Sequence, residues 1–373
     1  MNYFSSSYNA IFKDKVVLIT GHTGFKGSWL SLWLTSLGAK VEGLSIDVPT
    51  KPSNFSVFSL DDVVVDHRLD VRDSAAVKEV ICKVQPDYVF HLAAQALVRS
   101  SYDSPLETLS TNAIGTANVL DALRMIDKSV IVVMITSDKA YYNEEWVWGY
   151  RETDRLGGKD PYSASKAMAE LVVDTYFQSF FKDSDSNVRI GIARAGNVIG
   201  GGDWAKDRIV PDCVSAWSNN ESVDVRSPNS TRPWQHVLEP LSGYLSMAVD
   251  LSSDGKCHGE AYNFGPTMHQ DHSVRELIEE MAKHWKNVRW NDVGTLQENR
   301  HESRLLKLNC DKALYDLDWR PVLTFEETIR MTIGWYKEYY QNKNFLMRDF
   351  TIDQIKKFEI LASKRKSFCE SNQ

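Results

Sequence analysis

The chain is poor in cysteine and has no long apolar run, and each shortage narrows what it can be. Five cysteines, Cys82, Cys213, Cys257, Cys310 and Cys369, are scattered over 373 residues. Their number is odd and no two form a CxxC pair. That argues against a disulfide framework or a structural zinc, and for a reduced, cytoplasmic setting. No apolar stretch approaches the roughly 20 residues that span a bilayer. The opening MNYFSSSYNA has no basic region followed by an apolar one, so no secretory signal is read there. Positive charge is not in excess either. The net charge of -7 speaks against a general nucleic-acid binder but leaves room for an anionic ligand held by a few arginines. Metal-ligand patterns are sparse as well. His269 and His272 in HQDH have no further ligands at suitable spacing, so they are read as a polar loop and no metal is expected.

What is present is an alternation. VVLIT (16–20) precedes a helical stretch at 26–37, and KVEGLSI (40–46) is a second strand. YVFHLA (88–93) precedes a helical stretch at 105–124. VIVVMIT (130–136) precedes a helix at 163–181, and VRIGIARAG (188–196) follows. Strands and helices in turn predict an α/β fold with a doubly wound parallel sheet. Ligands of such sheets bind beyond the carboxyl ends of the strands. After about residue 200 the rhythm weakens, with shorter helices at about 273–285 and 324–340. The expected division is a dinucleotide domain at 1–195, a smaller substrate domain at 196–345 with some interleaving, and a tail at 346–373 holding one amphipathic helix.

Gly21, Gly24 and Gly27 in TGHTGFKG follow the first strand and open a helix. Glycines there let the backbone turn tightly and approach a pyrophosphate at a helix N-terminus. Thr23, Phe25 and Lys26 belong to the same loop. Asp47 ends the next strand, placed to hydrogen-bond a ribose 2′-hydroxyl and to repel a 2′-phosphate, which favours NAD over NADP. Asp70 and Val71 are candidates for the adenine edge. Leu92, Ala93 and Ala94 offer small groups along the cofactor, and Thr136 closes the strand that leads to the catalytic side.

Tyr162 and Lys166 in PYSASK share one face of a helix. An ammonium nearby lowers a tyrosine pKa and makes a general base. The pair taken alone is common and mostly structural. Its weight comes from following a dinucleotide loop and the polar strand exit Thr136, Ser137, Asp138, Lys139.

TGHTGFKG, HLAAQ, TSD and YSASK, in that order, resemble the extended short-chain dehydrogenase/reductase family. The resemblance implies a Rossmann-type domain carrying NAD, a C-terminal domain carrying a nucleoside-diphosphate sugar, and a catalytic trio at Ser137, Tyr162 and Lys166. Longer Trp-rich stretches, TSDKAYYNEEWVWGYRE, RAGNVIGGGDWAKDR and RPWQHVLEPLSGY, are similar to the sugar-nucleotide dehydratases of the family. In those the residue after the Asp is commonly Glu. Lys139 in that place implies the branch acting on CDP-glucose, with Asp138 as acid and Lys139 as base in water elimination. The competing reading of Asp138 and Lys139 is a simple ion pair capping a strand. Arg194, Asn197, Arg208 and Arg232 lie in the matching stretches and suit phosphate oxygens. Arg99 is a further sugar-phosphate candidate, and His301 and Glu302 lie where the family places nucleotide contacts. Trp146, Trp148, Trp204, Trp234 and His236 read as packing. The resemblance also implies pairing of two or four copies through the helices at 105–124 and 163–181, and a place early in making deoxysugars for surface polysaccharide such as the O-antigen of lipopolysaccharide.

Overall fold

In a computed structural model of the protein, the described residues are 3–183, 185–253, 255–267, 271–294, 305–342 and 346–370. Seven strands form one parallel sheet: β1 Val16–Thr20, β2 Lys40–Ser45, β3 Val64–Arg68, β4 Tyr88–His91, β5 Val130–Ile135, β6 Val188–Ala195 and β7 Ala261–Phe264. Their order across the sheet is β7-β6-β5-β4-β1-β2-β3. The order reverses between β1 and β4, so the crevice of a doubly wound sheet opens above those two strands. The central strands are buried on both faces. All six residues of β5 are buried, which is why VIVVMI is continuously apolar instead of alternating.

Eight helices matter to the site. They are α1 Tyr3–Phe12, α2 Phe25–Ser36, α3 Ser74–Val84, α4 Gly115–Leu123, α5 Pro161–Tyr176, α6 Leu238–Ser252, α7 Phe325–Gln341 and α8 Met347–Glu370. The α5 start is written in its sequence. Asp160 accepts the Ser163 N–H at 2.9 Å, and Pro161 occupies the first helical position. Thr324 and Glu327 form a capping box at α7.

The structure departs from the sequence expectations at several points. The helical stretch at 105–124 is three segments, with a π-helical turn at Ser110–Ile114 between α-helical ends. β3, α3, α6 and β7 were not foreseen. α6 is buried on nearly every side, so it has no polar face to reveal a helical period. β3 lies at the sheet edge, with Val65 exposed, and its pattern is equally that of a loop. Residues 238–264 return to the sheet after the chain has left it. α8 does not trail away. It packs on α2, where Trp33 donates to Glu359 at 2.8 Å and meets the Phe358 ring edge-on. No helix among the described residues is long and apolar enough to cross a membrane.

Candidate active site

The crevice is built from three strand ends. After β1, Gly21 adopts φ +75°, and a Cβ there would lie 2.8 Å from the Ala93 amide nitrogen. Only glycine allows the loop to lie this close to the end of β4. A Cβ on Gly27 would run into the Gly21 carbonyl, so the loop and the first turn of α2 are in mutual contact. This shape leaves the α2 N-terminus open to an anion and fits the diphosphate of a dinucleotide.

The Thr23 hydroxyl donates to the Asp47 carbonyl at 2.6 Å, tying the loop to the β2 exit, where the Asp47 carboxylate is exposed. His22 is fully buried, lies 2.9 Å from Ser45 Oγ and 3.1 Å from Asp66, and is held neutral by burial, which lowers its pKa to about 4. It fills the space over Gly43, where a Cβ would strike its ring. His22, Ser45 and Asp66 were not singled out in the sequence, and only the placing of His22 between two motif glycines hinted at them.

At the β4 exit, Ala93 N–H donates to Thr20 Oγ1 at 3.1 Å, and Thr20 Oγ1 lies 2.8 Å from His91 Nδ1. Thr116 donates its hydroxyl proton to the Asn112 carbonyl, so the 3.1 Å contact with His91 Nε2 requires His91 to be the donor. Leu92 joins the β1 end through its amide. Val71 packs on Gly115. Asp70 turns its carboxylate to the Arg72 amide and guanidinium at 2.8 Å, and Arg72 holds that carboxyl below its ordinary range.

The β5 exit carries side chains instead. Ser137 accepts from the Lys139 amide at 3.2 Å and donates to Asp138 Oδ1 at 3.0 Å, closing one 3₁₀ turn over Asp138–Ala140. Asp138 is 3% exposed and its Oδ2 has no hydrogen-bond partner. Burial raises its pKa, against the opposing pull of Lys139, Ser137 and Lys26. Lys139 is half-buried.

Tyr162 and Lys166 of α5 are both buried beside this turn. Burial lowers Lys166 to about 8, with Glu170 opposing. Tyr162 corrects an expectation. Burial pushes it up to about 12, outweighing the Ser137 hydroxyl and the Arg208 charge, while Asp138 pushes the same way as burial. Lys26 crosses from the glycine loop to this cluster. Burial lowers it to about 7, helped by Lys166 and Arg208 and opposed by Asp138, and its ammonium donates to Tyr244 Oη at 3.4 Å.

The arginines separate into two kinds. Arg208 stands beside Tyr162 and is held by Asp203 at 2.6 Å, while Arg99 meets Asp207 at 3.0 Å nearer the rim. Arg194 is corrected. It is buried behind the site and gives its guanidinium to Glu170, Tyr141 and the Glu152 carbonyl, so it is not an open phosphate ligand. Asn197 accepts the Gln235 amide on its carbonyl, and Arg232 lies in a two-residue strand paired with His272 and Ser273. His301, Glu302 and His269 lie outside the described residues. His272 stacks on Phe325 at 3.7 Å. No group of three or more metal-ligating side chains occurs among the described residues. Trp234 and His236 are buried in the core, and Trp204 packs on Trp335. Trp146 lies against Tyr150, whereas Trp148 is exposed.

A dinucleotide cradle, a tyrosine–lysine pair and a buried acid beside an amine on one sheet edge define an extended short-chain dehydrogenase/reductase with acid–base groups beyond those that redox chemistry needs. The model of the GDP-mannose 4,6 dehydratase family matches residues 18–332, and the chain belongs to that family. It is 45% identical over 339 residues to a CDP-glucose 4,6-dehydratase of Salmonella typhimurium, covering 90% of this chain and 94% of that one. Its fold is similar to that of the epimerase Mth375 of Methanothermobacter thermautotrophicus, with TM-score 0.76, 25% identity and coverage of 93% and 97%. It is also similar to that of a dTDP-glucose 4,6-dehydratase of Bacillus anthracis solved with NAD, with TM-score 0.72, 21% identity and coverage of 88% and 98%.

Proposed function

We propose that the protein is a lyase that converts CDP-glucose to CDP-4-keto-6-deoxyglucose with NAD as its bound cofactor. The observation that carries this reading is Asp138, a buried carboxyl with one unpartnered oxygen, next in sequence to Lys139 and packed into the cluster of Tyr162 and Lys166. The relative of Salmonella typhimurium supports the choice of nucleotide and sugar.

NAD supplies a hydride acceptor at sugar carbon 4 and a donor at carbon 6. Gly21, Thr23, Gly24, Phe25, Lys26 and Gly27 would hold it, together with Asp47, Val71, Leu92, Ala93, Ala94 and Thr136. Tyr162 takes the proton of the sugar 4-hydroxyl, and the charges of Lys166 and Arg208 favour its ionised form against the effect of burial. Ser137 hydrogen-bonds the 4-oxygen. The ketone at carbon 4 acidifies carbon 5, whose proton Lys139 removes and, once carbon 6 has received hydride, returns. Asp138, kept protonated by burial, gives its proton to the departing 6-hydroxyl, and water leaves. Arg208, Arg99, Arg232 and Asn197 hold the diphosphate side, and His301 and Glu302 the nucleoside side.

NAD would sit on residues 1–195 and the sugar nucleotide against 196–345, apart from 238–264, which return to the sheet. Pairing of copies through α5 and the helical stretch at 105–124 is supported by exposed Leu106, Ile114, Met168 and Leu171. Cys82, Cys213, Cys257 and Cys310 are free thiols, which accords with the cytoplasm.

Incubation with CDP-glucose tests the reading. A product lighter by one water, with no net release of reduced cofactor, is the expected result. A product of unchanged mass and inverted carbon 4 would mean a 4-epimerase, which needs Tyr162 and Lys166 but neither Asp138 nor Lys139. Faster dehydration of dTDP- or GDP-linked sugars would move the specificity to another nucleotide.

A further inference from the structure

The reactive turn Ser137–Asp138–Lys139 is short, and what fixes its two ends is the same buried group. At the entry, Thr136 donates its hydroxyl to Glu170 Oε1 at 2.7 Å. At the exit, Tyr141 accepts from Arg194 Nη1 at 2.7 Å and donates to Asn263 Oδ1 at 2.8 Å. Arg194 closes the circuit on Glu170, its Nε lying 2.9 Å from both carboxylate oxygens. The side chains of Glu170 and Arg194 are 2% and 4% exposed, and Tyr141 and Asn263 are equally buried.

This ion pair is expensive to bury. Two charges removed from water recover their solvation only when geometry and extra hydrogen bonds are good, and an apolar pair of the same volume would hold the core as well. Its polar reach goes in one direction. Every side-chain partner it engages belongs to the turn or to the residues bracing that turn. Asn263 of β7 donates to the Tyr150 and Asn309 carbonyls, and its amide donates to Glu152 Oε1. Glu170 also sits one helical turn beyond Lys166 on α5. One carboxylate therefore registers the turn of Asp138 and Lys139 against the helix of Tyr162 and Lys166.

We propose that Glu170, Arg194 and Tyr141 are positioning residues for water elimination, setting Asp138 and Lys139 relative to the sugar held at Tyr162. The proposal rests on the elimination roles given above to Asp138 and Lys139. None of the three touches substrate, so their effect is on where the acid and base stand, and displacements of about 1 Å cost on the order of 100-fold in such steps.

The test is a single-turnover experiment with CDP-glucose on the full-length protein. Bound reduced cofactor is followed by absorbance, product by mass, and fold by thermal melting. Tyr141→Phe removes one hydroxyl and keeps the ring. It should slow water loss by about ten-fold or more while carbon-4 oxidation and KM stay within two-fold (about 0.4 kcal/mol), so that bound reduced cofactor accumulates. Glu170→Gln should slow elimination more strongly, with a smaller slowing of oxidation because Glu170 also acts on Lys166, and Arg194→Lys should behave like Tyr141→Phe, because an ammonium cannot fork to Glu170 and Tyr141 together. If Glu170→Gln does not fold, Tyr141→Phe decides alone. Unchanged partition with only a lower melting temperature would overturn the proposal, as would equal slowing of both steps. Asp138→Asn is run beside them. If it eliminates water at the unaltered rate, the roles of the turn fall and the positioning falls with them. If it blocks elimination while Tyr141→Phe does not, only the positioning fails.

Discussion

The exit of β1 and the exit of β5 lie on the same edge of one sheet, yet they are built from different materials. After β1 the site is backbone. Gly21, Gly24 and Gly27 matter for the atoms they lack, and the contacts are between main-chain groups of residues 21, 27 and 93. After β5 the site is side chain. A hydroxyl, a carboxyl and an ammonium follow one another, and a buried ion pair holds the turn that presents them. A cradle made of backbone recognises a diphosphate whatever reaction follows. On the proposed roles of Asp138 and Lys139, the side chains at the second exit would decide the reaction, and the same cradle could serve dehydratases and epimerases alike.

The difference can be attacked from either end. The largest effect is expected at the first exit. Gly27→Ala places a methyl group against the Gly21 carbonyl, which no rotamer relieves. The expected outcome is loss of bound cofactor, read by absorbance of the purified protein, with a lower melting temperature. A variant that keeps cofactor at full occupancy would mean that the loop is looser than described.

At the second exit the effects should divide by step. Tyr162→Phe is expected to lose both oxidation and elimination by about 10³-fold, within the range of general acid–base catalysis. Asp138→Asn should keep oxidation and lose elimination by about 10²-fold. The pH profile follows from the raised pKa of Asp138. The acid form works below that raised value, so elimination falls as pH rises through it. Stability carries its own dependence. A carboxyl whose folded pKa stands above its unfolded value of 3.8 contributes fully below 3.8, and that contribution is lost as pH rises through the folded value. Asp138→Asn should therefore be more stable than the parent at pH 8 although less active, as thermal melts at two pH values would reveal. Equal melting at pH 8 would count against a buried, neutral acid.

The smallest effect belongs to the rim of the first exit. Asp47→Asn keeps a hydrogen-bonding group but removes the charge, and should weaken NAD by about ten-fold or less while admitting NADP. Titration of protein freed of cofactor would measure both. No change in preference would move selection away from Asp47.

The cradle and the Tyr162–Lys166 pair were legible in the sequence because each depends on local spacing. Glycines at 21, 24 and 27 act through neighbouring backbone, and residues 162 and 166 share a helix face wherever that helix goes. Arg194 was not legible. RAGN looks like an open phosphate motif, and only the fold reveals that β6 points its guanidinium at Glu170, behind the site. Lys26 was read as a cofactor residue, and nothing local foretold that its stem reaches Tyr244 and the field of Asp138. α6 and β7 escaped because a helix buried all round shows no helical period, and a four-residue strand is too short to show alternation.

Asn263 has a consequence in time. It stands 122 residues beyond Tyr141, the group it braces. A chain emerging at about 5–20 residues per second makes Tyr141 roughly ten seconds before Asn263. The strand that carries Asn263 joins the sheet across a long sequence separation, which is the slow kind of contact. In a growing chain the residues of the dinucleotide cradle are thus all made well before the turn after β5 can be braced, and a ribosome-bound fragment ending before residue 261 would carry those residues without the Asn263 brace.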